Sequence, residues 1–249
     1  MTNLKETIDY TDVWKDKWFD MERYNPTARH LFNYINVFLK RYCSDQKSLL
    51  DVGCGAGFAL EEIDKNCPWL SLNGCDISDD IATIPNANVF HEKKAGYFVF
   101  DLNKKYSGKK FDVVLCNQVL EHIKDDTQAA ENLIKMTGEY LIVTVPSGAY
   151  NSTSLLNGHY RHYSEKQLKV LFSPFDLEYL EFFSWGFPFH SLYKFLLGLF
   201  SAKQQTAMGL GRYGWTKRTV ANLIYLLFLS NKIKKGANIL MIAKIKKNK

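Results

Sequence analysis

The sequence predicts a doubly wound α/β fold. Three observations carry that prediction: apolar strand-like runs recur between helix-like stretches, a glycine loop (DVGCGAG, 51–57) closes the first of those runs, and an aspartate ends each of the next two. Continuous apolar strands joined by helices read as a parallel sheet covered on both faces, with the ligand at the carboxyl ends of the strands.

The elements follow in order along the chain. A helix is predicted over 27–43, where Leu31, Tyr34, Ile35, Phe38, Leu39 and Tyr42 repeat at helical spacing just after Pro26. SLLDVG is the first strand, and FALEEIDKNC the following helix, stopped by Pro68. LSLNGCDIS is the second strand, ending on Asp76, and YFVFDL the third, ending on Asp101. FDVVLCN is the fourth. DTQAAENLIKMTG is a helix that opens with acids and closes at Gly138, and EYLIVTVP is the fifth strand. DLEYLEFFSWGF reads as a sixth strand and ANILMIAKIKK as the last. Between them stand YKFLLGLF, a glycine-rich GLGRYGW turn and TVANLIYLLFLSNKI. The expected organisation is one structural domain of the 249 residues: a helical cap at 1–44, a ligand-binding core at 45–187, a helical insertion at 188–237, and a last strand with a basic tail at 238–249.

Composition narrows the class. With 46% hydrophobic and 23% charged residues, the chain is globular rather than disordered. Its first residues lack an apolar core of signal-peptide length, and the longest apolar run, VANLIYLLFL, is shorter than the ~18 residues of a membrane span. A cytoplasmic location is therefore expected, with peripheral membrane contact open to the tail. Cys43, Cys54, Cys67, Cys75 and Cys116 are odd in number and form no CxxC pair, so reduced thiols are expected, with no metal site. All 26 acidic residues lie at or before Glu181; from Phe182 onward there are 12 Lys and Arg and no acid. That asymmetry points to an anionic partner surface for residues 188–249. Nucleic acid is disfavoured, because these basic residues interleave with aliphatic runs; GRYGWTKR is the exception.

The glycine spacing discriminates between ligands. A dinucleotide loop needs a third glycine at position 58, which is Phe, and this weakens a nicotinamide dehydrogenase reading. A phosphate loop needs a lysine after its last glycine, and none follows Gly57. What remains is D-x-G-x-G-x-G, whose acid would repel a pyrophosphate and suits a ligand with positive charge and hydroxyls.

LLDVGCGAG, CDIS, VFDL, FDVVLCNQVLEHI and YLIVTVPSG, in this order, resemble the class I S-adenosylmethionine-dependent methyltransferases, in particular the small-molecule branch of quinone-biosynthesis and sugar-modifying enzymes. GHYRHYSEKQLKVLF resembles the segment after their fifth strand. The resemblance covers about 45–180 and implies a Rossmann-like, seven-stranded mixed sheet with an antiparallel final pair. It also implies S-adenosyl-L-methionine as cofactor. Gly53, Cys54, Gly55 and Gly57 would then let the backbone approach the donor, and Asp51 would face its methionine end. Asp76 would take both ribose hydroxyls, Ile77 the adenine face, and Asp101 with Leu102 the adenine edge. Asn117, Gln118 and His122 would line the methyl end.

The implied reaction is transfer of a methyl group to an oxygen of a small-molecule, saccharide or lipid-linked acceptor. In-line placement and water exclusion would supply most of the rate. His159 and His162 are the candidate catalytic bases, and Arg161 and Tyr163 the candidate acceptor-binding residues. The alternatives are a cofactor-binding or membrane-docking protein on the same fold without methyl transfer, and a nucleic-acid methyltransferase.

Overall fold

The computed structural model describes residues 20–81, 84, 87–150, 154–155, 157–200, 204 and 211–246. Residues 1–19 of the expected cap, the first two residues of the GLGRYGW turn and the last three residues of the tail lie outside the described residues. The helices are α1 (Met21–Tyr24), α2 (Pro26–Tyr42), α3 (Phe58–Asn66), α4 (Asn88–His91), α5 (Asp126–Met136), α6 (Glu165–Phe172), α7 (Phe189–Gly198) and α8 (Trp215–Phe228). The strands are β1 (Ser48–Val52), β2 (Ser71–Asp76), β3 (Ala95–Val99), β4 (Phe111–Asn117), β5 (Thr137–Pro146), β6 (Leu177–Phe187), β7 (Lys232–Ile233) and β8 (Asn238–Ile245).

The strands form one mixed sheet in the order β3-β2-β1-β4-β5-β8-β6-β7. β1 to β5 are mutually parallel, and β8 inserts antiparallel between β5 and β6. The seven expected strands are all present, and two-residue β7 adds an edge to β6.

The two-residue period of the strands divides the core into two layers. Leu49, Val113, Leu115, Leu240 and Ile242 face α2 and α3; Leu50, Val114, Cys116, Met241 and Ala243 face α5 and α6. Helix starts are set locally. Asn25 Oδ1 accepts from Thr27 N and Ala28 N at 2.8 and 3.3 Å, with Pro26 as the first helical residue of α2. Ser164 and Gln167 form a capping box on α6.

Two expected boundaries are corrected. α5 stops at Met136, not Gly138, because Thr137 already pairs with Phe111, and a Cβ at Gly138 would crowd the Phe111 carbonyl. β3 ends at Val99, since beyond it Asp101 Oδ1 folds back to accept from Asn103 N, a turn that leaves the sheet.

Between β6 and β8, α7 and α8 pack onto the cap. His30 Nε2 lies 3.0 Å from Tyr225 O, and Arg29 donates to Asn222 Oδ1 at 2.8 Å while its guanidinium covers the Tyr225 ring. Fully buried Trp185 stacks on His30 and on His190 and meets Phe228 edge-on. One indole therefore joins β6, α2, α7 and α8.

Candidate active site

β1 and β4 are the adjacent strands from which the sheet is wound in opposite directions, and the loops after them open a cleft. After Val52 the backbone turns through Gly53, Gly55 and Gly57 at φ 74°, 50° and 80°. Gly53 N and Cys54 N both donate to Cys75 O, at 2.7 and 3.1 Å, which pins the loop on the end of β2. A Cβ on Gly53 would strike Val119, and one on Gly57 would strike Val89. Left-handed backbone and lack of space both demand glycine there.

Asp76 stands beside this loop, almost fully buried. Its Oδ2 accepts from Gly55 N at 3.0 Å and its Oδ1 from Ser78 N at 3.3 Å. Burial raises its pKa, and the backbone N–H groups of Gly55, Ser78 and Ile77 work against that rise. A carboxylate has about four lone-pair sites, so acceptor capacity is left toward the cleft.

The cleft has two chambers. The smaller, of about 170 Å³, is walled by Asp76, Ile77, Phe100, Asp101, Leu102 and Val119. Ile77 is 53% exposed, an apolar side chain held open on the wall. The larger, of about 370 Å³, is walled by Asp51, Cys54, Asn117, Glu121 and His159, and by residues of α1, α2 and α7. Gly53, Gln118 and His122 line both chambers and so mark their junction. Gln118 holds a left-handed conformation, φ 57°, unusual for a side chain of its size. Its N donates to Thr144 O at 2.9 Å and its Nε2 to Thr144 Oγ1 at 3.2 Å, while Thr144 Oγ1 donates to Asn117 Oδ1 at 2.6 Å. β5 thereby holds the strained turn in place.

Charge separates the chambers. In the larger one Asp51 is 2% exposed, and burial, then the nearby Glu22 and Asp76 charges, push its carboxyl well above the usual range. Burial pushes Glu121 up to about 8, against the attraction of Lys194, and its Oε2 has no partner among the described residues. Burial lowers His122 to about 4, and His159 to about 3 with help from His122, His162 and Lys194. His159 Nδ1 lies 3.1 Å from His162 Nε2, and the His122 ring meets His159 edge-on. Glu121, His122 and His159 bring their ligand atoms within 4.8 Å of one another, close enough to share a cation, a grouping that the cysteine pattern did not suggest.

Several expected residues stand outside both chambers. Gly55 and Gly57 shape the loop without lining it, and His162 stands behind His159. Arg161 and Tyr163, expected at the acceptor, line neither chamber. Arg161 pairs with Asp126 Oδ2 at 2.7 Å and with the carbonyls of Ile123 and Lys124, and buried Tyr163 donates to the same carboxylate at 2.9 Å. The Asp126 charge at the start of α5 draws both away from the cleft. Glu22, Glu121, His190, Tyr193 and Lys194 were not singled out from the sequence, yet they line the larger chamber. His190, Tyr193, Lys194 and Leu197 recur at helical spacing along one face of α7, the one signal that could have found them.

Residues 21–181 match the family described as "Methyltransferase domain". The chain belongs to this methyltransferase family. It is 28% identical over 141 residues to a ubiquinone biosynthesis O-methyltransferase of Hydrogenovibrio crunogenus, a match covering 55% of this chain and 54% of that one. It is 22% identical over 187 residues to a malonyl-acyl-carrier-protein O-methyltransferase of Halalkalibacterium halodurans, covering 66% and 68%. The matched stretch thus spans only about half the length of the first of these relatives. Among solved structures, the cyclase SpnF superposes with a TM-score of 0.58 at 18% identity, over 94% of this chain and 87% of that one. The fold is therefore that of the methyltransferases, and proteins named for other reactions share it.

Proposed function

We propose that the protein transfers a methyl group from S-adenosylmethionine to an oxygen of a small-molecule acceptor. The observation that carries this is the two-chamber cleft joined at Gly53, Gln118 and His122, with the buried Asp76 carboxylate in one chamber and titratable groups in the other. The residues fit the donor. Asp76 keeps acceptor capacity for two ribose hydroxyls, while Ile77, Phe100 and Leu102 offer an apolar wall to adenine, with Asp101 at its edge. Asp51, buried in the larger chamber with Asn117 and Gln118 beside it, would hold the methionine end.

The bound donor supplies an electrophilic methyl group on a leaving sulfonium. The chain's own work is to hold the acceptor hydroxyl in line and to keep water out. His159, which burial holds neutral and whose Nδ1 lies 3.1 Å from His162 Nε2, is the group placed to orient the acceptor hydroxyl and to receive its proton as the C–O bond forms. Both relatives named above are O-methyltransferases, which favours oxygen as the accepting atom.

Calorimetric titration with S-adenosylmethionine and S-adenosylhomocysteine tests the donor site. Saturable binding of both is expected, and a folded chain that binds neither overturns the reading. Tritium transfer from labelled donor to cell extract then separates an enzyme from a protein that only binds the cofactor.

A second element of the reading concerns the acceptor's location. Leu192, Phe195 and Leu196 on α7 and Leu199 just after it form an exposed stripe, and Val220, Leu223, Leu226 and Leu227 form another on α8. No described helix is long and apolar enough to cross a membrane. Apolar stripes on a segment with 12 basic and no acidic residues suit docking on an anionic bilayer, where α7 would bring a lipid-linked acceptor to the cleft. The protein is expected to float with vesicles containing phosphatidylglycerol and less with phosphatidylcholine alone. Phe195→Glu with Leu223→Glu, both at exposed positions, should abolish flotation. Failure of the unmodified chain to float removes the membrane reading.

A further inference from the structure

Of the three carboxyl groups that line the larger chamber, Glu121 has Lys194 as its counter-charge, while Glu22 and Asp51 have no cation acting on them among the described residues. Asp51 projects from the end of β1 and is buried in the wall of that chamber. Glu22 comes from a different part of the chain, α1 of the cap, and lines the same chamber close enough to act on Asp51. The neighbouring cations are engaged elsewhere. Arg23 pairs with Glu61 Oε2 at 2.9 Å, and Arg29 is held by Asn222 and the Tyr225 ring. Lys194, the one basic side chain lining the chamber among the described residues, interacts with Glu121.

Two carboxylates that line one partly dry chamber repel each other and lose hydration, so the pair by itself holds on to protons. Burial raises Glu22 to about 7, and Asp51 stands well above its ordinary range. Such a pair is relieved by a cation with several donors placed between its members. A primary ammonium carries three N–H donors and a sulfonium none. We infer that Glu22 and Asp51 together form a two-carboxyl receptor for the ammonium of the methyl donor's amino-acid end, and that binding there expels the proton the empty pair holds. This rests on the donor assignment of the preceding section. The balance is simple: a carboxyl O–H releases its proton to solvent, and the ammonium, unchanged in protonation, donates to both carboxylates.

The other titratable groups around the pair are separable from it. The thiols of Cys54, Cys75 and Cys116 are pushed up by burial and stay neutral. Asp76 already accepts from two backbone N–H groups. Across the chamber His122, His159 and His190 are pushed down to about 4, 3 and 3, and Tyr193 is pushed up, so none of them changes charge near neutrality. Glu121, raised to about 8, is the one competing acid, and Lys194, lowered by burial, the one competing base.

The experiment is calorimetric titration of the full chain with S-adenosylmethionine, in two buffers of different ionisation enthalpy. Near pH 6.5 an α-amino group, with an ordinary pKa of roughly 7.7–8.0, is already protonated, so released protons come from the protein. Net release approaching about one proton per site is expected, with affinity rising up to roughly tenfold per pH unit between about pH 5.5 and 7. Glu22→Gln should remove the release and weaken binding at least about tenfold, Glu22→Asp should restore part of both, and Glu121→Gln should keep the release. Binding without proton release by the unmodified chain, or release unchanged in a folded Glu22→Gln, overturns the inference and leaves the donor site standing. No binding at all overturns the donor site itself.

Discussion

Asp76→Ala is expected to weaken S-adenosylmethionine binding by roughly 10²- to 10⁴-fold, because it deletes two hydrogen bonds to an ionised acceptor, each worth about 1.5–3 kcal/mol. The same substitution should also lower the melting temperature, since Gly55 N and Ser78 N lose their acceptor in a nearly dry position. Asp76→Asn separates the two effects. Its single amide oxygen can still accept from the Gly55 loop, so most of the stability should survive, while the ribose diol loses a charged, bidentate partner. Titration calorimetry and thermal melting on both variants read the two quantities apart. An Asp76→Ala protein that folds and binds with unchanged affinity would show that the ribose is held elsewhere.

Trp185→Ala is expected to cost about 3–5 kcal/mol of folding stability, the range for truncating a fully buried large aromatic. Trp185 has no exposed surface, and its ring centroid lies 5.1 Å from His30, 5.2 Å from His190 and 6.1 Å from Phe228. Removing the indole leaves a cavity where three helices meet β6, and dense neighbours close such a hole only in part. The consequence for the site is indirect. α7 carries Tyr193 and Lys194 into the larger chamber, so a loosened α7 should impair acceptor turnover more than donor binding. Urea unfolding reads the stability and donor titration reads the site. A midpoint shift worth less than about 1 kcal/mol would contradict the packing argument.

Much of this was legible in the sequence, for local reasons. The glycine loop, Asp76 and the succession of strands along the chain depend on features read residue by residue: backbone conformations that only glycine tolerates, apolar runs, and acids at strand ends. Asp101 and β3 were placed two residues off because the turn made by Asn103 competes with strand extension, and propensity does not resolve that competition. Arg161 and Tyr163 are acceptor candidates by their place in the GHYRHYS segment, but the carboxylate they meet in the fold, Asp126, stands 35 and 37 positions earlier, where the sequence signals only the start of a helix.

The sequence by itself determined the layer architecture and the donor loop, because strand period, glycine conformation and carboxylate placement are properties of short segments. Only the tertiary structure decided what lines the larger chamber. Glu22 precedes the glycine loop by some thirty residues, and Lys194 follows it by well over a hundred; neither carries a local signature. They share a chamber with Asp51 and Glu121 because α1 and α7 are folded over the same end of the sheet. Burial there, not residue type, moves the carboxyls up and the imidazoles down, and burial is set by contacts distant in sequence.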